Sequence, residues 1–170
     1  DMQISVNLSP RQFRDTELVS TISDLLREHD MPGGCLELEI TEGLLMAGTP
    51  AVNEALSRFN ALGVRIAMDD FGTGYASMSN LRRYPFDALK IDRSFIQDIA
   101  TDEADQKLVA AAVAMAHALG LKVVAEGVET DSQLKILRRL QCDFAQGFLF
   151  AKPLPAAELR AFVQAPPSFS

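Results

Sequence analysis

Carboxylates recur in this chain at the ends of short apolar runs. Val64-Arg65-Ile66-Ala67-Met68 runs into Asp69-Asp70, and Lys122-Val123-Val124-Ala125 runs into Glu126. Glu39 and Glu42 bracket the end of a third run at Ile40-Thr41. A carboxylate at such a place costs stability unless something beside it uses the negative charge. Several in one chain point to a shared metal site. Oxygen ligands of this kind suit Mg2+ or Mn2+ rather than zinc, since His29 and His117 both fall in helical segments. Adjacent Asp69 and Asp70 can both reach one region where strand alternation relaxes, and one of them can bridge two ions. Two ions about 3.5–4 Å apart would stabilise the attacking and leaving oxygens of a phosphoryl transfer. Asp69, Asp70, Glu39 and Glu126 together balance the charge of two divalent cations, so an anionic substrate would meet a near-neutral site.

The other polar groups at strand ends are Asn7, Lys90, Asp92 and Gln146. Lys90 stands between apolar neighbours in Ala88-Leu89-Lys90-Ile91-Asp92. It either faces a barrel mouth, where it could hold a water or stabilise phosphate charge, or pairs with Asp92 or another nearby acid. Phe71-Gly72-Thr73-Gly74-Tyr75 is a glycine-rich loop after the acidic pair. It reads either as a tight turn or as a loop whose position is linked to the metals.

These groups need a scaffold that brings strand ends together. Strand-length apolar runs near 3–7, 36–40, 64–69, 87–91, 122–126 and 145–150 alternate with helical patterns near 15–29, 50–62, 76–82, 104–119, 131–140 and 155–164. In the Ala-rich helix, Leu108, Val109, Ala112, Met115 and Ala116 form one stripe. Thr49-Pro50 reads as a cap with proline at the first helical position, and Thr130 or Asp131 caps a later helix. Gly63 and Gly120 end helices. An internal echo aligns Phe59–Asp69 with Ala116–Glu126: helix end, glycine, basic residue, strand and terminal carboxylate. Any chain of βα units repeats the glycine and the strand, but not the matching acid. Six βα units in series imply a parallel sheet with right-handed crossovers. The fold class expected is α/β, a (β/α)8 TIM-like barrel, because such barrels carry their functional groups at the carboxyl ends of the strands. With six units rather than eight the barrel is incomplete, and the first two strands and their helices are expected to be missing. Residues 1–164 form the domain and 165–170 a tail or linker.

The chain has 170 residues, enough for one domain with a real core. A net charge of −7 argues against a surface for a nucleic-acid polymer, though not against a small anionic ligand. The sequence has no 18-residue apolar run and no basic-then-apolar leader pattern. Cys35 and Cys142 lack zinc-site spacing and read as free thiols in a reducing compartment.

Six stretches taken together resemble the EAL family of bacterial cyclic-di-GMP phosphodiesterases. They are Ser5-Val6-Asn7-Leu8-Ser9, Leu38-Glu39-Ile40-Thr41-Glu42, Asp69-Asp70-Phe71-Gly72-Thr73-Gly74-Tyr75, Leu89-Lys90-Ile91-Asp92, Ala125-Glu126-Gly127-Val128-Glu129-Thr130, and Gln146-Gly147-Phe148-Leu149-Phe150 with Pro153. The resemblance implies a barrel enzyme that uses two Mg2+ or Mn2+ ions and opens one phosphodiester of cyclic-di-GMP by water attack, giving linear pGpG. It implies Asn7, Glu39, Asp69, Asp70 and Glu126 as metal ligands, and Asp92 as a holder of a metal or its water. Lys90 would position and help activate the water, with Gln146 supporting it and Glu42 anchoring the Asp-Asp loop. Glu129, Phe148 and Pro153 would contact the dinucleotide.

The Glu-Ala-Leu motif that names the family, followed closely by arginine, is absent; Glu54-Ala55-Leu56 is a coincidental tripeptide in a helix. The family carries that motif on an early strand, which matches the strand count. Ala76 and Met78 stand where the family usually has serine and leucine. The expectation is therefore the C-terminal three-quarters of a phosphodiesterase domain, inactive or weakly active and poorly stable alone. The alternative is a receptor or regulatory domain that binds cyclic-di-GMP without cleaving it. The resemblance further implies a homodimer through the region near the Asp69-Asp70 loop. It also implies covalently linked sensory or diguanylate-cyclase domains, and a cytoplasmic setting in proteins that are often membrane-anchored.

Overall fold

The computed structural model describes residues 2–46, 50–73 and 78–165. Six strands, β1 (Ile4–Asn7), β2 (Leu36–Thr41), β3 (Arg65–Phe71), β4 (Ala88–Ile91), β5 (Lys122–Ala125) and β6 (Phe144–Ala145), form one sheet. All pair in parallel, and their spatial order is their chain order. The crossovers carry α1 (Leu18–Glu28), α2 (Glu42–Met46), α3 (Pro50–Ala61), α4 (Met78–Arg83), α5 (Arg93–Ile96), α6 (Glu103–Ala118) and α7 (Asp131–Arg139), and α8 (Ala156–Gln164) follows β6. The result is a half-barrel with helices on its outer face, the incomplete barrel expected from the six repeats.

Strand alternation sorts the side chains. Leu38, Ile40, Ile66, Met68, Leu89, Ile91 and Val123 are buried in one cluster with Leu56 and Phe59 of α3, Val109 and Val113 of α6, and Leu134 and Leu137 of α7. The intervening residues, among them Ser5, Glu37, Glu39, Ala88, Lys90, Val124 and Phe144, line the concave side. Every residue of β1 is exposed, as is Phe144 of β6. A parallel sheet is normally covered on both faces; here the two end strands are not.

Helix termini follow the capping signals. Thr130 accepts from the Gln133 N–H and completes a capping box, and Asp102 caps α6 through the Ala104 N–H at 2.6 Å. Gly63 and Gly120 have φ of 74° and 76° at the ends of α3 and α6, where glycine is least strained. Pro50 opens α3; its expected cap, Thr49, lies outside the described residues, as do Ala76 and most of the expected tail.

Three expectations need correction. The stripe of α6 buries Val109, Val113 and Ala116, while Leu108 is 54% exposed. Val113 is one turn beyond Val109 and takes the place assigned to Leu108. The strand expected over 145–150 spans only Phe144–Ala145. The backbone beyond it still bonds, with Val128 N–H to the Gln146 carbonyl at 3.0 Å and Leu149 N–H to the Val128 carbonyl at 3.0 Å. At Gly147 the chain presses onto Val128 so closely that a Cβ would lie 2.2 Å from the Val128 oxygen, and the run turns away. Third, the short helices α2 and α5 had no counterpart in the expected pattern.

Candidate active site at the carboxyl ends of the strands

Lys90 organises the site. It rises from the middle strand β4 on the concave side and is 3% exposed. Its Nζ lies 2.6 Å from Glu39 Oε1, 2.6 Å from Glu126 Oε1 and 3.3 Å from Asp69 Oδ1. The partners come from β2, from β3 and from the residue after β5, so strands on both sides converge on one ammonium. The two halves of the internal echo thus supply Asp69 and Glu126, one from each flank of Lys90. The lysine does not pair with Asp92. Burial alone would lower its pKa, but hydrogen bonds to Glu126 and Glu39 outweigh that and hold it above its ordinary value.

Asp69 and Asp70 reach the same region through a break in strand geometry. The β3–β4 register shifts between Met68 and Phe71, and Asp70 has φ 56°. That left-handed conformation costs roughly 1 kcal/mol for a residue with a Cβ, least for Asp and Asn. Carboxylate oxygens of Asp69, Asp70 and Glu126 lie within 4.8 Å of one another. Asp69 Oδ1 is buried and, though 3.3 Å from Lys90, has no hydrogen-bond partner among the described residues. An all-oxygen set with an unsatisfied buried oxygen fits a hard divalent cation. Burial raises the pKa of Asp70, and the charges of Asp69 and Asp92 raise it further. Burial likewise raises that of Glu126 against the lowering effect of Lys90. Such a cluster calls for more positive charge than one lysine provides.

The remaining expected residues sit around this centre. Asn7 is in register with Glu39 on the neighbouring strand. Gln146 lines the concave cavity of about 730 Å³ together with Glu39 and Lys90. Asp92 caps α5, accepting from the Ser94 N–H at 3.0 Å and its hydroxyl at 2.5 Å. Those bonds from Ser94 hold its pKa below the ordinary value against the opposing effect of burial. Glu42 is 4% exposed, and neither of its oxygens has a hydrogen-bond partner among the described residues. Desolvation raises its pKa. The loop it is expected to anchor begins as a turn, with the Thr73 hydroxyl donating to the Asp70 carbonyl at 2.9 Å, and continues into residues 74–77, outside those described. Glu129 and Pro153 are exposed on the loops after β5 and β6. Phe148 is 57% exposed, with the Lys152 Nζ 5.9 Å from its ring centroid.

Two buried polar residues were not anticipated. Glu37, on the concave side of β2, accepts from the Ser5 hydroxyl at 2.9 Å; alternation with Glu39 was its signal. Gln133 bonds to both α5 and the loop after β5; the Thr-x-x-Gln spacing from Thr130 was readable as a capping box.

Comparison with known proteins gives one consistent result. Residues 1–153 match the EAL domain family. The chain is 44% identical over 164 residues to the cyclic di-GMP phosphodiesterase NbdA of Pseudomonas aeruginosa, covering 96% of this chain and 21% of that protein. It is 45% identical over 163 residues to the bifunctional diguanylate cyclase/cyclic di-GMP phosphodiesterase MucR of the same organism, covering 96% and 24%. It therefore spans about a fifth to a quarter of these relatives' lengths. Among solved structures, the c-di-GMP complex of PaMucR phosphodiesterase superposes with a TM-score of 0.86 at 45% identity, over 92% of this chain and 64% of that one. The manganese/cy-diGMP complex of Klebsiella pneumoniae BlrP1 superposes with a TM-score of 0.82 at 32% identity, over 89% and 39%. With its half-barrel, its strand-end carboxylates and a match over nine-tenths of its length, the chain belongs to the EAL domain family.

Proposed function

We propose that this chain is part of a phosphodiesterase that hydrolyses cyclic-di-GMP to linear pGpG with the help of two divalent cations, Mg2+ or Mn2+. The observation that carries the reading is Lys90 held among Glu39, Asp69 and Glu126 beside the Asp69–Asp70–Glu126 oxygen cluster. Asp69, Asp70, Glu126, Glu39 and Asn7 would hold the cations. When bound, these would neutralise the acids, polarise phosphate oxygens and make water more acidic. Lys90, which donates to Glu39 and Glu126, would orient the attacking water and oppose negative charge developing on the phosphate. Gln146 supports the same region from just beyond β6, and Asp92, kept ionised by Ser94, supplies an acceptor beside it. Glu42 steadies the loop after Asp70. Glu129, Phe148 and Pro153, exposed at the rim, would contact the dinucleotide, with Phe148 offering an aromatic face to a base.

In the whole protein the domain would be linked to sensory or diguanylate-cyclase domains, pair with a second copy near the Asp69-Asp70 loop, and act in the cytoplasm. No helix among the described residues is long and apolar enough to cross a membrane. The test is chromatographic. The full-length parent protein is incubated with cyclic-di-GMP and Mg2+ or Mn2+, alongside Asp70→Asn and Lys90→Ala. Cation-dependent pGpG, lost in both variants, supports the enzyme. Tight binding with no cleavage would show a receptor instead.

A further inference from the structure

Gln133 is 5% exposed and lies outside the strand-end cluster. Its carboxamide uses all four of its hydrogen-bonding positions. Oε1 accepts from the Glu129 N–H at 2.8 Å and the Thr130 N–H at 2.9 Å. Nε2 donates to the Ile96 carbonyl at 3.1 Å and the Gln97 carbonyl at 3.0 Å. The first pair lies in the loop that follows Glu126. The second lies at the end of α5, the single turn that starts from the Asp92 cap.

The two pairs have different chemical requirements. Capping the N-terminus of α7 needs only an acceptor at this position, which glutamate supplies as well as glutamine. Donating to two carbonyls needs an amide NH2, which glutamate lacks. The same two segments also touch at Gly127, whose φ is 70° and where a Cβ would come within 2.6 Å of the Arg93 Cβ. Beyond the ladder bond from the Glu126 N–H to the Ile91 carbonyl, these contacts tie the loop after β5 to the loop after β4.

We propose that Gln133 is a positioning residue that braces the Glu126–Thr130 loop against α5 and so fixes Glu126 relative to Lys90 and Asp92. The inference rests on the phosphodiesterase reading above. A fully satisfied buried network is stiff, and a misplacement of about 1 Å at a reacting centre can cost on the order of a hundredfold in rate.

Three variants of the full-length parent separate bracing from capping. Gln133→Glu keeps the acceptor and loses both donors. Thr130→Ala weakens the cap and leaves the brace. Gln133→Met is uncharged and loses cap and brace together, so should Gln133→Glu not fold, the brace is read as the loss that Gln133→Met shows beyond Thr130→Ala. Melting temperature, Mn2+ affinity by calorimetry and steady-state kinetics on cyclic-di-GMP are measured for each. Gln133→Glu is expected to weaken Mn2+ binding about tenfold and to lower kcat by a similar factor with KM within about twofold. Thr130→Ala is expected to melt lower and keep both. If the Gln133 variants melt lower but retain wild-type Mn2+ affinity and kcat, the residue is a cap and the brace is overturned. A wild type that binds Mn2+ without cleaving defeats the phosphodiesterase reading alone, because the Mn2+ comparison still decides the brace. A wild type that binds no Mn2+ overturns both.

Discussion

Asp69 and Asp70 are consecutive in the chain, yet both contribute oxygens to one cluster because Asp70 adopts φ 56° where β3 slips register against β4. On a regular strand they would point to opposite faces. The left-handed residue brings both carboxylates to one place, and strain of this kind gathers at functional sites.

Asparagine tolerates that conformation nearly as well as aspartate, so Asp70→Asn separates charge from backbone. A carboxylate whose pKa is raised by folding costs stability at neutral pH. Without divalent cations Asp70→Asn is therefore expected to be at least as stable as wild type, while Asp70→Ala falls about 1 kcal/mol below the asparagine variant. Urea denaturation in EDTA compares the three. Both variants are expected to lose pGpG formation.

Lys90→Met removes the one cation shared by three buried or half-buried acids. Breaking a buried pair in this way costs about 3–5 kcal/mol because the partners are left uncompensated. The loss is expected to be largest without divalent cation and to shrink as Mn2+ is added, since Mn2+ would supply the missing positive charge. Melting curves across a Mn2+ titration would show it; a loss independent of Mn2+ would contradict a cation site at these carboxylates.

Acid stability should depend on Asp143, far from the Lys90 cluster in the sequence. Burial works against its charge, but hydrogen bonds from Lys122 at 2.6 Å, His117 at 2.8 Å and the Val123 N–H at 3.0 Å prevail and bring its pKa down to about 2. The folded value is below the unfolded 3.8, so the contribution is present above pH 4 and disappears as pH falls towards 2. Asp143→Asn is expected to be about 1–2 kcal/mol less stable than wild type at pH 7 and equal to it near pH 2. Urea titrations at pH 7, 4 and 2 test this; a gap that persists at pH 2 would rule the mechanism out.

Gly147→Ala would place a methyl group 2.2 Å from the Val128 oxygen and 2.3 Å from its nitrogen, both backbone atoms that cannot rotate away. The cost is expected to be at least about 2 kcal/mol. Because the displaced backbone includes the Gln146–Val128 bond, cyclic-di-GMP affinity should fall as well, measured by calorimetry against the melting temperature.

Much of this was legible in the residues. The parallel half-barrel followed from six alternations of strand and helix, and the echo between residues 59–69 and 116–126 located the two carboxylates that flank Lys90. What escaped were features decided by contacts distant in sequence. Val113 is the exception: one turn beyond Val109 and three residues before Ala116, it was readable from the helical period itself. The end of β6 is set by the approach of Gly147 to Val128, and Gln133 reads as a cap until Ile96 and Gln97 are seen beside it. Glu37 was readable from its alternation with Glu39 along β2, but its partner Ser5 lies 32 residues away in the chain.

The strand order, one to six without a skip, also bears on how the site comes into being. Glu39 and Asp69 precede Lys90 in the chain, and Glu126 follows it after the whole of α6. Neighbours in sequence are neighbours in space, so the sheet can grow one unit at a time from nearby contacts, a cheap route in loop-closure entropy. The lysine nevertheless acquires its last partner only when β5 docks. A nascent chain released as far as α6 sets one ammonium against Glu39 and Asp69; the arrival of Glu126 adds a third acid, so the full excess of negative charge gathers only once β5 has docked, before α7 and α8 are made.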